Sequence, residues 1–231
     1  MLSALIASTT LGSDSPLRAE AELTVARTWQ QEGDWAAAYA EYDRWITNHL
    51  AHPSRGLAEY ERAWSAFRSG REAAAFPLFT NFVAAFPTHA LAPAAQHWIA
   101  DSYYRAEKYD LAELEYQKLF QNTNWPPSEH SYEGRLGAGR SAFARRVFKE
   151  SKAYLIGLIN TNCPETMLPE AYFLLGDTIR WGAEAESTNL VQSLGEAVEA
   201  YSRIPRNHPN SPLVAPAWRE IGKCHFQLGA A

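Results

Sequence analysis

Small and large apolar residues recur along this chain at helical spacing. In the stretch "AELEYQKL", the small Ala112 is followed by Tyr116 four positions later and by Leu119 three positions after that. Residues at i, i+4 and i+7 share one side of an α-helix, so this stripe predicts a buried helix face. The same spacing recurs in four other segments: Ala38/Tyr42/Trp45, Ala75/Phe79/Phe82, Ser151/Leu155/Leu158 and Ala197/Tyr201/Ile204.

A second small residue lies twelve positions before each of the first four stripes, and it predicts a partner helix. These residues are Ala26, Ala63, Ala100 and Gly139, and the series continues with Gly176 and Gly222. A proline follows each stripe, where it cannot continue a helix. The closing prolines are Pro53, Pro87, Pro126, Pro164 and Pro209. The repeating unit is therefore predicted to be helix, short polar turn, helix, proline stop.

This unit resembles the tetratricopeptide repeat. The third unit, "APAAQHWIADSYYRAEKYDLAELEYQKLFQNTNWP", matches it best, through Ala100, Tyr103, Tyr109, Ala112, Tyr116, Leu119 and Pro126. The resemblance implies an all-α fold, a right-handed α-solenoid of about eleven helices in antiparallel pairs, with about five to six repeats. We expect residues 1–231 to form a single solenoid, a segment of a longer repeat array. Its repeats are placed at 17–53, 54–87, 88–126, 127–164, 165–209 and 210–231, the last incomplete.

The fifth unit is longer than the others, since Ala197 lies twenty-one rather than twelve positions after Gly176. The extra stretch "GAEAESTNLV" is either an insertion between the helices or part of a lengthened helix pair. Its Gly, Ser, Thr and Asn residues favour turns and caps, so we expect a flexible loop from Gly182 to Val191. Glu184 and Glu186 would then face solvent as a mobile acidic flap beside Arg180 and Trp181.

Composition and charge exclude several classes of function. With 21 basic and 26 acidic residues the net charge is −5, so no basic field is present to hold nucleic acid. The N-terminal "MLSALIASTTLGSDSP" has no basic residue before its apolar run and is too short to span a bilayer, so direct membrane insertion is not expected. Cys163 and Cys224 match no redox or metal motif and are expected to be buried thiols.

The chain shows no pattern of catalytic, cofactor-binding or metal-binding residues. "GRLGAGR" lacks the strand and the lysine of a phosphate loop, and its Gly139 fits the small helix position instead. Cys224 and His225 have no further ligands at zinc spacing. An all-helical repeat offers no strand-turn-helix elbow for a nucleophile. We therefore expect a protein that is not an enzyme and that has no cofactor.

The resemblance implies that the first helix of each pair lines a concave groove. Aromatic and arginine side chains there would suit a protein or peptide partner, because such residues supply most of the binding energy at interfaces. The alternative is that some of them, including Trp64, Phe67 and Phe143, pack against the next repeat. The candidate partner-binding residues are Trp64, Phe67, Arg68, Trp98, Asp101, Tyr104, Arg105, Arg140, Asp177, Arg180 and Trp181.

The function predicted from these features is a noncatalytic scaffold that binds a protein or peptide in the groove. The loops "FPTHALAPAA" and "NHPNSPLVAPAW" are similar to those of bacterial envelope repeat proteins such as BamD and YbgF (CpoB), which favours the periplasm or cell envelope over the cytoplasm. The alternative is a regulatory or assembly domain of a larger, enzymatic polypeptide. Neither terminal repeat has a polar capping face, so the ends could also join copies of the chain into a homo-oligomer.

Overall fold

The computed structural model describes residues 16–186 and 189–230, and within them it has eleven α-helices and no strand. The predicted all-α fold of helix pairs is confirmed. The apolar N-terminal segment lies outside the described residues. The helices are α1 (Pro16–Gln31), α2 (Trp35–Asn48), α3 (Arg55–Arg68), α4 (Glu72–Ala85), α5 (Ala92–Arg105), α6 (Tyr109–Gln121), α7 (Glu129–Ala144), α8 (Phe148–Ile159), α9 (Leu168–Glu186), α10 (Leu190–Asn207) and α11 (Val214–Ala230).

The chain divides into two compact units, Met1–Ile99 (unit 1) and Ala100–Ala231 (unit 2), with the boundary inside α5. In unit 1, α1 packs on α2, α2 on α3 and α3 on α4. In unit 2 the same order runs without interruption from α6 to α11. Within each unit these helices therefore pack mainly on their neighbours along the chain, as expected of stacked repeats. That all repeats form one continuous solenoid stays a prediction.

The turn inside each of the first four helix pairs contains one residue with a positive φ. The angle is 79° at Gly33 and Gly70, 58° at Glu107 and 63° at Arg146. In each turn the amide following this residue donates a hydrogen bond to a carbonyl in the last turn of the preceding helix, such as Asp34 N to Trp29 O at 3.0 Å. Glycine adopts this left-handed conformation freely, whereas other residues are strained in it. The backbone conformation of this turn is therefore the same in all four pairs, although Glu107 and Arg146 replace glycine in two of them.

The predicted stripes form the core. Ala38, Ala75, Ala112 and Ala197 are completely buried, as predicted for residues at helix crossings. In the fourth unit, Ser151 is also completely buried and donates a hydrogen bond to the carbonyl of Gly139 at 2.9 Å. A serine therefore replaces the alanine there because its hydroxyl finds an acceptor in the partner helix. The two cysteines, Cys163 and Cys224, are buried free thiols, as predicted.

Three glycines of "GRLGAGR" let α7 approach both of its neighbours closely. A Cβ added at Gly137 would lie 2.5 Å from the ring of Tyr116 in α6, and one at Gly134 would lie 2.7 Å from Leu119. On the other side, a Cβ at Gly139 would lie 3.1 Å from Leu155 in α8. The segment is a helix interior packed on two sides, which agrees with the assignment of Gly139 to the small helix position.

The predicted flexible loop over Gly182–Val191 is wrong. Helix α9 continues to Glu186 and α10 begins at Leu190, so the fifth unit is the lengthened helix pair, the alternative considered above. The extra turns pack: Ala183 is buried, and a Cβ at Gly182 would lie 3.1 Å from Phe148 in α8. Asn189 caps α10 by accepting a hydrogen bond from Gln192 N at 3.3 Å. Residues 187 and 188 and the side chains of Glu184 and Glu186 lie outside the described structure.

Candidate functional site

Unit 1 contains a cavity of about 390 Å³ between α1, α2 and α3. Its lining combines aromatic rings, amides and both signs of charge. The lining residues are Arg27, Gln30, Gln31, Trp35, Tyr42, Leu57, Glu61 and Trp64. The volume is in the range of sites that bind one large side chain or a small ligand.

A chain of hydrogen bonds fixes the polar groups of this cavity. The Tyr42 hydroxyl donates to Gln30 Oε1 at 2.6 Å, and Gln30 Nε2 donates to Glu61 Oε2 at 2.7 Å. Burial, with the charge of Glu61, raises the pKa of Tyr42 well above its ordinary value, so its hydroxyl stays a donor. The orientation of the Gln30 amide is thereby set from both ends.

The aromatic rings of the cavity lie beside arginine side chains. The guanidinium of Arg68 lies 4.4 Å from the ring centroid of Trp35, a cation–π contact. Trp64 packs against Phe67 with ring centroids 5.6 Å apart. Among the described residues, Arg27 has no ion-pair partner. The cavity therefore offers apolar walls and a guanidinium that can receive a carboxylate.

The predicted site residues of unit 1 fall into two groups. Trp64 lines the cavity, and Phe67 and Arg68 contact its aromatic residues. Trp98 is different: it is only 6% exposed and packs on Phe79 at a centroid distance of 4.4 Å. The expectation that its ring contacts a partner is therefore wrong, because the ring is part of the core.

The predicted carboxylates of unit 2 accept hydrogen bonds from tyrosines of the following helix. The Tyr201 hydroxyl donates to Asp177 Oδ1 at 2.7 Å, and the Tyr116 hydroxyl donates to Asp101. Burial raises the pKa of the Asp177 carboxyl, while the hydrogen bond from Tyr201 lowers it in part. These carboxylates therefore hold helix pairs together, a role that the groove prediction did not include.

The other predicted residues of unit 2 are partly or fully exposed, except Arg180, whose side chain is only 11% exposed. Arg140 pairs with Glu170, and Tyr104 packs on Tyr109 with ring centroids 5.2 Å apart. Arg105 is exposed and donates to the Ser102 hydroxyl at 3.0 Å. At the fifth unit, the Arg180 guanidinium lies 4.7 Å from the ring centroid of Trp181, which is 40% exposed. Arg180 also lies 3.6 Å from the buried carboxylate of Glu220.

Sequence reasoning missed Trp35, Leu57 and Glu61 as cavity residues. Trp35 is the first residue of α2, a helix that was predicted to supply the core and not the groove. Leu57 and Glu61 precede the small residue Ala63, whereas only positions after the small residue were considered. The spacing itself carried a signal, since Leu57, Glu61 and Trp64 follow the i, i+4, i+7 rule on α3.

None of the helices in the described ranges is long and apolar enough to cross a lipid bilayer. The sequence matches no family model and no curated protein. Solved structures do match its fold. BtubC (BKLC) from P. vanneervenii is 16% identical with a TM-score of 0.59, over 91% of this chain and 92% of that one.

Two further structures are similar over most of their length. A protein described as a kinesin light chain of Podosopora anserina, with nearly identical TPR-like repeats, is 16% identical with a TM-score of 0.55, covering 84% of this chain and 99% of that one. Pseudomonas aeruginosa PilF is 13% identical with a TM-score of 0.50, covering 90% and 97%. At these identities the comparisons establish the fold. The loop similarity to BamD and YbgF stays a prediction.

Proposed function

We propose, on the premise that this chain has the tetratricopeptide-repeat fold, that it is a noncatalytic scaffold that binds a peptide segment of a partner protein. The observation that carries this proposal is the cavity of unit 1, where Trp35 and Trp64 share a lining with Arg27. Tryptophan and arginine are the residues that most often dominate binding energy at protein interfaces.

The chemistry of the cavity supports a particular kind of segment. Two indole rings and Leu57 suit a large aliphatic or aromatic side chain, whose burial drives binding. Arg27 suits a carboxylate, because a charge-assisted hydrogen bond to a guanidinium is stronger than a neutral one. Arg68, held over Trp35, adds a second positive charge nearby. The proposed ligand is therefore a segment with a large apolar residue next to an aspartate or glutamate.

The accessible predicted residues of unit 2 are proposed as further contacts with the partner. These are Tyr104, Arg105, Arg140 and Trp181. Asp101 and Asp177 are not proposed as primary contacts, because each already accepts a tyrosine hydrogen bond. A setting in the bacterial cell envelope rests on the loop resemblance alone and stays a prediction. The alternative role, as an assembly domain of a larger polypeptide, uses the same binding chemistry.

A displayed library of random peptides, selected on the full chain, tests this function. We expect the enriched peptides to carry a large apolar residue beside an acidic one. In calorimetry with the best synthetic peptide, Arg27→Ala and Trp64→Ala should each weaken binding about tenfold or more.

The matched controls are Arg44→Ala and Leu50→Ala, which remove an exposed arginine and an exposed apolar residue of unit 1. Both should leave the affinity within about twofold. Selection of no peptide at all, or of peptides that bind all four variants equally, would overturn the proposal.

A further inference from the structure

The cavity of unit 1 contains two opposite charges that do not neutralise each other. Arg27 and Glu61 both line it. Within the described residues, neither forms an ion pair with the other or with any other side chain. Burial contributes most to the raised pKa of Tyr42, Glu61 raises this pKa further and Arg27 lowers it, so both charges act at the same hydroxyl. The cavity therefore offers a ligand one negative and one positive group.

The amide of Gln30 positions the carboxylate of Glu61 without neutralising it. Gln30 Nε2 donates to Glu61 Oε2 at 2.7 Å, and Tyr42 fixes the other end of the same amide. The second oxygen of Glu61 accepts no hydrogen bond from the described part of the chain. An amide carries no charge, so the carboxylate remains negative. It can therefore accept a charge-assisted hydrogen bond from an ammonium group.

The carboxylate of Glu61 lies between the apolar walls of the cavity. On α3, Leu57 precedes Glu61 by four positions and Trp64 follows it by three, so all three line one face of the helix. Leu57 and Trp64 are half-buried, as is Trp35 on α2, and each can still gain contacts. An ammonium bound to Glu61 is therefore directly beside the place where a large apolar side chain packs.

The close spacing of charge and apolar wall favours an α-ammonium over a lysine side chain. The charge of lysine lies at the end of a flexible four-carbon stem, so a lysine and a large apolar residue would need two places in one cavity of about 390 Å³. An α-ammonium and an apolar side chain are attached to the same carbon atom. A single residue at the start of a chain therefore supplies both groups, and it also avoids ordering a long side chain.

We infer, on the basis of the peptide-binding function proposed above, that the cavity captures the N-terminal residue of a partner protein. The α-ammonium of that residue binds Glu61, and its large apolar side chain packs on Leu57 and Trp64. The carboxylate of an acidic second residue then reaches Arg27. Capture of an N-terminal amine is one of the recurring modes of peptide recognition. A free apolar amino acid presents the same two charges, with its own carboxylate for Arg27, so the test includes it.

Calorimetry with pentapeptides of sequence XEGSG, where X is leucine, isoleucine, phenylalanine or tryptophan, tests this inference on the full chain. Each peptide has a C-terminal amide and is used with a free and with an acetylated N-terminus. Acetylation should weaken binding about tenfold or more, because it removes the charge that Glu61 receives. Equal affinity for the two forms overturns the inference and leaves the peptide-binding function standing. No binding of any peptide in either form overturns both.

Two variants test the residue assigned to the ammonium. Glu61→Gln keeps an acceptor for the Gln30 amide but removes the charge, so it should bind the free and acetylated peptides within about twofold of each other. Glu41→Gln is the matched control: it removes a carboxylate that pairs with Arg44, outside the cavity, and should keep the preference for the free N-terminus. The four free amino acids should bind at least tenfold more weakly than the peptides. Equal binding of a free amino acid overturns the assignment to a partner's N-terminus.

Discussion

The hydroxyl of Tyr201 reaches Asp177 Oδ1 at 2.7 Å because Gly176, the residue before the aspartate, leaves space for the tyrosine ring. Tyr201 is completely buried, and a Cβ on Gly176 would lie 2.5 Å from its Cε1 atom. One glycine, one carboxylate and one tyrosine thus join α9 to α10. The same relationship between a tyrosine and an aspartate joins Tyr116 to Asp101.

Tyr201→Phe should destabilise unit 2 by about 1 to 3 kcal/mol, because it leaves the half-buried Asp177 carboxyl without its hydroxyl donor. Chemical denaturation followed by circular dichroism measures this change. Tyr39→Phe, which alters a tyrosine of α2 that is only partly buried, serves as the control and should change the free energy of unfolding by less than about 0.5 kcal/mol. Equal effects of the two substitutions would contradict the role assigned to the Tyr201 hydroxyl.

The pH dependence of stability should report on Asp177. Because burial raises the pKa of this carboxyl above its ordinary value of 3.8, the folded state holds the proton to higher pH than the unfolded state does. Its contribution to stability is complete below about pH 3.8 and is lost as the pH rises through the folded pKa.

The measurement is the free energy of unfolding of wild type and of Asp177→Asn from about pH 3 to about pH 7. The wild type should lose stability relative to the asparagine variant as the pH rises, since asparagine accepts the Tyr201 hydrogen bond without a charge. The contributions of most other titrating groups cancel when the free energies of the two proteins are subtracted. Two parallel curves would show that the carboxyl has the same pKa in both states.

Ala112→Leu should overpack the core around α6 and cost about 1 to 3 kcal/mol. Ala112 is completely buried, so the added carbons can be accommodated only by moving a helix. Ala73→Leu places the same side chain at an exposed position of α4 and should leave the melting temperature nearly unchanged. If Ala112→Leu melts like the wild type, the register assigned to α6 is wrong.

Arg146→Gly should stabilise the protein by about 1 kcal/mol, because it removes the strain of a non-glycine residue at a φ of 63°. The gain is reduced in part by the greater flexibility of glycine in the unfolded chain. Lys149→Gly, three residues later in the first turn of α8, should instead cost up to about 1 kcal/mol. Thermal melts of the two variants should therefore shift in opposite directions.

Trp64→Ala and Trp98→Ala should separate binding from stability. Trp64 lines the cavity and is partly exposed, so its loss should weaken peptide binding by about 2 kcal/mol and change the melting temperature little. Trp98 is buried against Phe79, so its loss should cost about 3 to 5 kcal/mol of stability. Equal loss of stability in both variants would place Trp64 in the core as well.

The helices could be predicted from sequence because the spacing of small and large residues decides which faces are buried. Ala38, Ala75, Ala112 and Ala197 were identified in this way. The extent of α9 could not, because "GAEAEST" favours a turn locally, while Ala183 and Gly182 gain packing against α8 that only the folded chain supplies. Tertiary contacts therefore determine that this segment is helical.

The site was less predictable than the fold. The rule that groove residues follow the small residue of each repeat identified Trp64. The same rule also selected Asp101 and Asp177, whose hydrogen-bond partners come from the following helix. Trp98 was misassigned because an aromatic residue on the first helix of a pair can point to either neighbour. Both errors concern contacts between helices, which the pattern within one helix does not contain.

The three glycines that let α7 fit between α6 and α8 also make it a poor helix by itself. Each glycine inside a helix disfavours it by about 1 kcal/mol relative to alanine, so about 3 kcal/mol of helix-forming tendency is absent from this one segment. Its helical state must then be induced by its neighbours. In a nearest-neighbour description of repeat folding, the intrinsic stability of α7 is low, and its interactions with α6 and α8 supply most of its stability. The middle of unit 2 should therefore melt as one cooperative block, with amide hydrogens of α6, α7 and α8 exchanging at a common rate.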